Sequence, residues 1–263
     1  CTTCEQKNTF CPGHFGHIEL AKRLFYIHYF DTIKKLLKCV CFKCSKLLID
    51  KESTELKKIL NKKISRQKKF DAIYKICSKN KIKRCGKLKD EATENNGCGA
   101  KQPTKITKDN IGKIILQWKD KDNKDDENEE EDTQVYLASD ILKILSRITD
   151  EDSDILGFPK KINRPENLIC QVFPVCPPAV RQSVTNDTGQ RCHDDLTHKL
   201  CDIVKTNNTL KTKIEKGSSN EQIEYWTILL QYHLSTFFDN KIPGIAQAKQ
   251  RSGRPLRSLT ERL

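Results

Sequence analysis

The sequence predicts an α+β fold, mostly helical, with an antiparallel helical hairpin, a small mixed sheet and bound zinc. Three observations carry this expectation. Cysteines gather in short C-x-x-C units; two amphipathic stretches within 194–238 are joined by a short polar connection; and two apolar runs, 111–118 and 170–178, read as strands.

At 263 residues the chain is long enough for one large domain or two small ones with real cores. It is 36% hydrophobic and 32% charged, with a mean hydropathy of −0.66, so it reads as soluble. No apolar run approaches the ~20 residues that span a bilayer, and Cys1-Thr2-Thr3-Cys4 is no signal peptide. Methionine is absent, even at position 1, so the chain is expected to be a fragment of something longer.

The net charge of +13 is unevenly placed. Residues 57–89 hold fourteen Lys/Arg and one acid, Asp71; residues 119–132 hold nine acids and three lysines; residues 241–263 hold six Lys/Arg and one acid, Glu261. A basic surplus favours a polyanionic partner, usually nucleic acid. A well-solvated lysine-rich surface is the equal alternative on charge alone.

The elements follow in order. The stretch 20–37 is amphipathic, and residues 50–84 look helical, with Leu56, Ile59, Leu60, Ile64, Phe70, Ile73 and Ile76 at helical spacing. Residues 86–110 are polar and glycine-bearing, hence loop. The acidic run 119–132 has the composition of a disordered or highly mobile loop. A short helix is expected over 138–148 with Ser139 as N-cap. Pro174, Pro177 and Pro178 bar the strand at 170–178 from a central sheet position. Asn186, Asp187, Thr188 and Gly189 mark 180–191 as an exposed loop. Asp194 is the expected N-cap of a helix whose face carries Leu196, Leu200, Ile203, Leu210 and Ile214, and Gly217 stops it. Ser219 and Gln222 have capping-box spacing for a second helix, with Ile223, Trp226, Leu230, Leu234 and Phe237 as its stripe. Two such helices make an antiparallel hairpin, though periodicity alone is equally satisfied if both stripes simply face a core.

Thirteen cysteines cannot all pair within one chain, and their C-x-x-C clustering favours metal over disulfides. Cys1-x2-Cys4-x6-Cys11-x2-His14 offers two pairs of soft donors suited to tetrahedral Zn²⁺, with Pro12 and Gly13 forming a tight knuckle. His17 is within reach as a weaker fourth donor, and reduced buried thiols are the alternative to zinc. A second set opens with Cys41-x2-Cys44. Its partners are chosen as Cys85 and Cys98, both in polar loop; Cys77 reads as a small core residue and Cys39 is less well spaced. Cys170, Cys176, Cys192 and Cys201 are scattered and read as non-ligands. Both zinc sets are closed four-donor sets, whereas catalysis needs an open position. There is no G-x-x-x-x-G-K-[ST] and no H-E-x-x-H. Asp194-Asp195 could hold Mg²⁺, but adjacent acids at a helix start more often serve as a cap.

The run Cys11-Pro-Gly-His-Phe-Gly-His-Ile-Glu-Leu20 closely resembles the zinc knuckle near the start of the largest subunit of archaeal, eukaryotic and viral multi-subunit RNA polymerases. The resemblance continues at Cys39-Val-Cys-Phe-Lys-Cys44, at Gly97-Cys98-Gly99 with Gln102-Pro103, and at Asp194-Asp-Leu-Thr-His-Lys-Leu200. It ends at Leu230-Gln-Tyr-His233, Asp239-Asn240, Ile242-Pro-Gly244 and Arg251-Ser-Gly-Arg-Pro-Leu256. The blocks keep the family's order over nearly the whole chain.

The resemblance implies the clamp of a DNA-directed RNA polymerase. Residues 1–48 would be a zinc-bearing clamp head, and 49–179 a clamp core with the second zinc site and the acidic loop. A lid-like loop would occupy 180–198, a coiled-coil hairpin 196–238, and a rudder-like loop 239–263. It implies two structural zinc ions, one on Cys1, Cys4, Cys11 and His14 and one on Cys41, Cys44, Cys85 and Cys98. It implies closure over DNA and the RNA–DNA hybrid, contact with other polymerase subunits, factors docking at the hairpin tip, and no membrane. Location would be intracellular: nucleus, archaeal cytoplasm, or viral factory or virion. Arg181 and Arg191 flank the lid-like loop and Lys249, Arg251, Arg254 and Arg257 crowd the rudder-like loop, so these are the expected nucleic-acid contacts. The family's Asp-rich Mg²⁺ motif, and so nucleotide addition, lies outside this segment. A free-standing zinc-dependent nucleic-acid-binding or adaptor protein is the alternative, and a metal-dependent hydrolase a third.

Overall fold

The computed structural model describes residues 1–7, 9–80, 82–86, 97–109, 112–118, 132–185, 187, 189 and 191–263. In chain order its elements are β1 (Gly16–Phe25), α1 (Phe30–Leu37), α2 (Thr54–Leu60), α3 (Arg66–Asn80), β2 (Lys105–Lys108), β3 (Ile114–Trp118), β4 (Asp132–Tyr136), α4 (Ala138–Ser146), α5 (Asp150–Ile155), β5 (Ile169–Val175), β6 (Val184–Thr185), β7 (Arg191–Cys192), α6 (Asp195–Glu215) and α7 (Asn220–Phe238). The chain forms two compact units. One joins Cys1–Ile27 to Cys170–Leu263, and the other is His28–Ile169. Among the described residues no helix is long and apolar enough to cross a membrane.

The discontinuous unit is built on the helical hairpin. Asp194 caps α6 by accepting the Leu196 N–H at 3.0 Å, as its sequence position suggests. At the far end Gly217 takes φ 64°. The N–H of Gly217 donates to Ile214 O and that of Ser218 to Lys213 O, a Schellman closure. The chain then reverses, and α7 packs along α6. Ser219 sits at the N-cap of α7 but its hydroxyl makes no capping bond; Gln222 instead accepts from Lys213 Nζ at 3.4 Å, across the hairpin.

Both stripes run into one core. Leu196, Leu200, Ile203, Leu210, Leu230, Leu234 and Phe237 cluster with Leu20 and Leu24 of β1 and with Cys170 and Phe173 of β5. The hairpin and the core-facing reading therefore both hold. Among the described residues strand β5 pairs with β1 alone, which lets Pro174 sit in it without breaking a ladder. Two helix amides grip β1. Asn207 accepts from Ala21 N at 2.8 Å and donates to Glu19 O at 2.9 Å. Gln231 accepts from Phe25 N at 2.8 Å and donates to Phe25 O at 3.0 Å.

In the His28–Ile169 unit, β2, β3 and β4 form an antiparallel sheet in which Ile106 faces Leu116 and Leu116 faces Gln134. Ser53 caps α2 through Leu56 N, and Thr149 caps α5 through Asp152 N. Phe42 makes edge contacts with Tyr136 and Trp118, at centroid distances of 4.7 and 5.8 Å.

Several expectations change. The β component is split among three small sheets rather than gathered in one. The amphipathic stretch 20–37 is a strand followed by a helix, since β1 extends to Phe25. The helical run 50–84 is broken into α2 and α3. Within the presumed loop 86–110 lies β2, which gains its order from pairing with β3. The cap of α4 is Leu137, not Ser139, with the Asp140 carboxylate accepting the Leu137 N–H at 3.4 Å. The acidic run 119–132 lies outside the described residues except for Asp132, which opens β4. So do Ile111, residues 87–96, and positions 186, 188 and 190 of the segment expected to form a lid-like loop.

Candidate functional site

Two groups of metal-ligating side chains stand out among the described residues. Cys1, Cys4, Cys11 and His14 form one and Cys41, Cys44, Cys85 and Cys98 the other; within each, the ligand atoms lie within 4.8 Å of one another. Each group belongs to a different compact unit.

In the first group the Glu5 N–H reaches back to Cys1 O at 2.9 Å, and those of Phe10 and Cys11 reach Lys7 O at 3.0 Å. These turns bring the Cys4 and Cys11 sulfurs to 3.6 Å. Gly13 has φ 85°, and a Cβ there would lie 3.2 Å from Pro177 Cβ; the knuckle needs glycine on both counts. The His14 Nε2 is buried and, among the described residues, has no hydrogen-bond partner. A buried ring nitrogen among thiols with nothing to bond is what a metal ligand leaves when only protein is counted. His17 lies exposed in β1, outside the group.

The second group joins two turns. Cys41 N donates to Lys46 O at 2.7 Å and Ser45 N to Cys41 O at 2.9 Å, folding the first C-x-x-C. Cys85 N donates to Ala100 O and Gly99 N to Cys85 O, both at 3.0 Å, folding the second turn. A Cβ at Gly97 would come within 2.5 Å of the Gly86 backbone, so close approach of the two strands of this turn requires glycine. The sulfurs of Cys41 and Cys98 are 3.6 Å apart and those of Cys44 and Cys85 3.7 Å. A tetrahedral zinc with Zn–S bonds of about 2.3 Å has sulfur–sulfur edges of roughly 3.8 Å, so the donors fit that ion. Burial pushes the Cys41 thiol up, but hydrogen bonds from the Cys44 and Lys43 backbone and from the Cys44 and Cys98 side chains win, bringing it down to about 7. Burial raises Cys44.

The other cysteines lie outside both groups. Cys39 and Cys77 are buried. A hydrogen bond to Cys77, then burial, holds the Cys39 thiol protonated. Burial pushes Cys170 up to about 11.

Of the six predicted cations, two line a cavity of about 330 Å³, together with Gln182, Val184, His193 and Asp195 among others; Arg181, Arg191, Lys249 and Arg251 do not line it. Arg254 and Arg257 meet there. Arg262, which the sequence reading passed over, joins them and pairs with Asp194 at 2.7 Å. Arg254 Nη2 lies 2.8 and 3.1 Å from the two oxygens of the nearly buried Asp195, which also accepts from Gln250 Nε2 at 2.7 Å and Arg257 N at 3.0 Å. Asp195 thus anchors the loop rather than a metal. Asn240 closes the base of the same loop, accepting from Ala248 N and donating to Ala248 O and Leu256 O. Arg251 is exposed beside the tight turn closed by Gly253 N on Gln250 O; Lys249 is exposed and its backbone bridges to Pro255. Within 180–198, Arg181 donates to Cys176 O at 3.1 Å and Thr197 Oγ1 at 3.3 Å, and Arg191 to Ser183 Oγ at 2.7 Å.

A Cys₃His group, a Cys₄ group, a long helical hairpin and an arginine-bearing loop after it define a class of protein: a chain of two compact units, each with a four-donor knuckle that could hold a metal ion. The family model described as RNA polymerase Rpb1, domain 1, matches residues 1–263, and the chain belongs to that family, the N-terminal region of the polymerase's largest subunit. It is 41% identical, over 271 aligned residues, to the DNA-directed RNA polymerase subunit Rpo1N of Methanocaldococcus jannaschii. That match covers 100% of this chain and 18% of the relative, so the chain spans about a fifth of the relative's length.

Proposed function

We propose that the chain acts as the clamp region of the largest subunit of a DNA-directed RNA polymerase, closing over DNA and the RNA–DNA hybrid during transcription. The full-length match to the family carries this reading. Cys1, Cys4, Cys11 and His14 hold one zinc ion, and Cys41, Cys44, Cys85 and Cys98 another. When bound, zinc supplies rigid cross-links between turns, since four protein donors leave no open position for chemistry. Nucleotide addition belongs to Mg²⁺-binding acids in the rest of the subunit. Other polymerase subunits and initiation or elongation factors are the expected partners, the factors at the tip of the α6–α7 hairpin, in whichever intracellular site transcription occurs.

Arg181, Arg191, Lys249, Arg251, Arg254 and Arg257 are assigned to the phosphate backbone, where cations hold nucleic acid without reading bases. The Asp195 anchor and the Asn240 clasp support this, because they preform the loop that carries four of the six. Photo-crosslinking in an assembled elongation complex tests the placement. Probes at Gln250 and Gly189 should reach RNA or template at the upstream end of the hybrid, and a probe at Lys62 should not. Efficient crosslinking from Lys62 with silent loops would overturn it.

A further inference from the structure

We propose that Gln102 is the positioning residue of the second metal centre, holding the Cys41 sulfur through an amide N–H bond. The inference rests on the zinc reading above. Gln102 is buried. Its Nε2 lies 3.2 Å from Cys41 Sγ and 3.0 Å from Ala100 O, while its Oε1 accepts the Phe42 N–H at 3.1 Å. One planar amide therefore touches both turns that carry the ligands: Cys41 and Phe42 on one, Ala100 on the other. Its backbone is tied as well, with Gln102 N on Lys83 O at 2.8 Å.

The network fixes which end of the amide faces the sulfur. Turning it over would set the amide oxygen against the Ala100 carbonyl and the NH₂ against the Phe42 N–H, losing both bonds. The donor end must therefore meet Cys41. That sulfur is buried, so water cannot supply the bond. Four thiolates around a divalent cation leave a formal charge of about −2, and a fixed N–H dipole offsets part of it. Outer partners of this kind also orient the ligand they touch.

Gln102→Glu keeps the length and the acceptor for Phe42 but turns a carboxylate oxygen towards the Cys41 sulfur and Ala100 O. Gln102→Met keeps the bulk and loses all three side-chain bonds without adding charge. The experiment uses the natively purified full chain, with and without Cys4→Ser to silence the first group, and follows zinc release to a chelator with a colorimetric indicator. The expected order of release from the second group is Glu, then Met, then wild type, with metal affinity reduced about 10–100-fold and the first group unchanged. Replacing zinc by Co²⁺ adds a reading that bulk packing would not move: the sulfur-to-cobalt charge-transfer band should shift in both variants. Wild-type release rates with an unshifted band would overturn the role of Gln102 and leave the zinc reading standing. A Cys4→Ser chain that holds no metal would overturn both.

Discussion

Lys199 is 1% exposed, at the base of the hairpin. Its Nζ lies 3.2 Å from His233 Nδ1 and 5.2 Å from the Tyr232 ring centroid, and among the described residues no carboxylate lies within ion-pair distance of it. Burial lowers its pKa to about 8, against the pull of Asp202. Burial, then Lys199, lowers His233 to about 4, with Asp202 again opposing. Both groups are thus harder to protonate folded than unfolded, so the unfolded chain binds more protons between each pair of values. Stability should rise with pH from about 4 to 6.5 through His233, and from about 8 to 10.5 through Lys199. Urea midpoints across pH check this; His233→Gln should flatten the acid limb. Lys199→Met, which removes a buried charge, should raise stability at pH 7 by about 1–3 kcal/mol and flatten the alkaline limb. At Asp195 the expectation has the opposite sign. Asp195→Asn weakens bonds to Gln250, Arg254 and Arg257 together and should cost about 2 kcal/mol, read as a lowered denaturation midpoint.

The hairpin turn depends on one backbone conformation. Gly217 is left-handed, and a Cβ there would meet nothing within 4 Å. Gly217→Ala should therefore cost only the backbone strain, about 1 kcal/mol, seen as a small fall in melting temperature with helix content retained. Strand β1 shows the opposite dependence. Leu20 and Leu24 are four apart, a spacing that one face of a helix or of a strand would both show. They lie in a strand because β5 offers a pairing edge and Asn207 and Gln231 bind backbone groups of the same segment. Likewise β4 has an almost wholly exposed, polar face pattern and carries no strand signal of its own; its ladder with β3 supplies the order.

Across the whole molecule the two donor groups serve separate units. The zinc reading predicts two ions per chain by metal analysis. Cys41→Ser and Cys85→Ser should each remove about one, and Cys77→Ser none. Structural zinc contributes on the order of 10 kcal/mol per site in small zinc peptides, so losing one ion should open one unit to limited proteolysis while the other stays protected. Proteolysis that spreads equally through both units would contradict independent staples.

The C-x-x-C turns, the capping Asp194 and the Gly217 stop were legible from residues alone, because each depends on neighbours a few positions away; family membership was legible because a set of short motifs keeps one order along the chain. The stripes of α6 and α7 were legible too, since helical periodicity records which face is buried. Spacing and local context favoured Cys85 and Cys98 over Cys39 and Cys77 as partners for Cys41 and Cys44, but could not show their approach in space. The tertiary structure brings the sulfurs of Cys85 and Cys98 to 3.7 and 3.6 Å from theirs and leaves Cys39 and Cys77 buried outside the group. It also decided that Arg254 is held by Asp195, that Arg262 lines the same cavity, and that Gln102 reaches Cys41. Those contacts join residues 59, 68 and 61 positions apart in sequence. Local chemistry specifies a turn or a helix end, but only the folded chain determines which distant donor meets which acceptor.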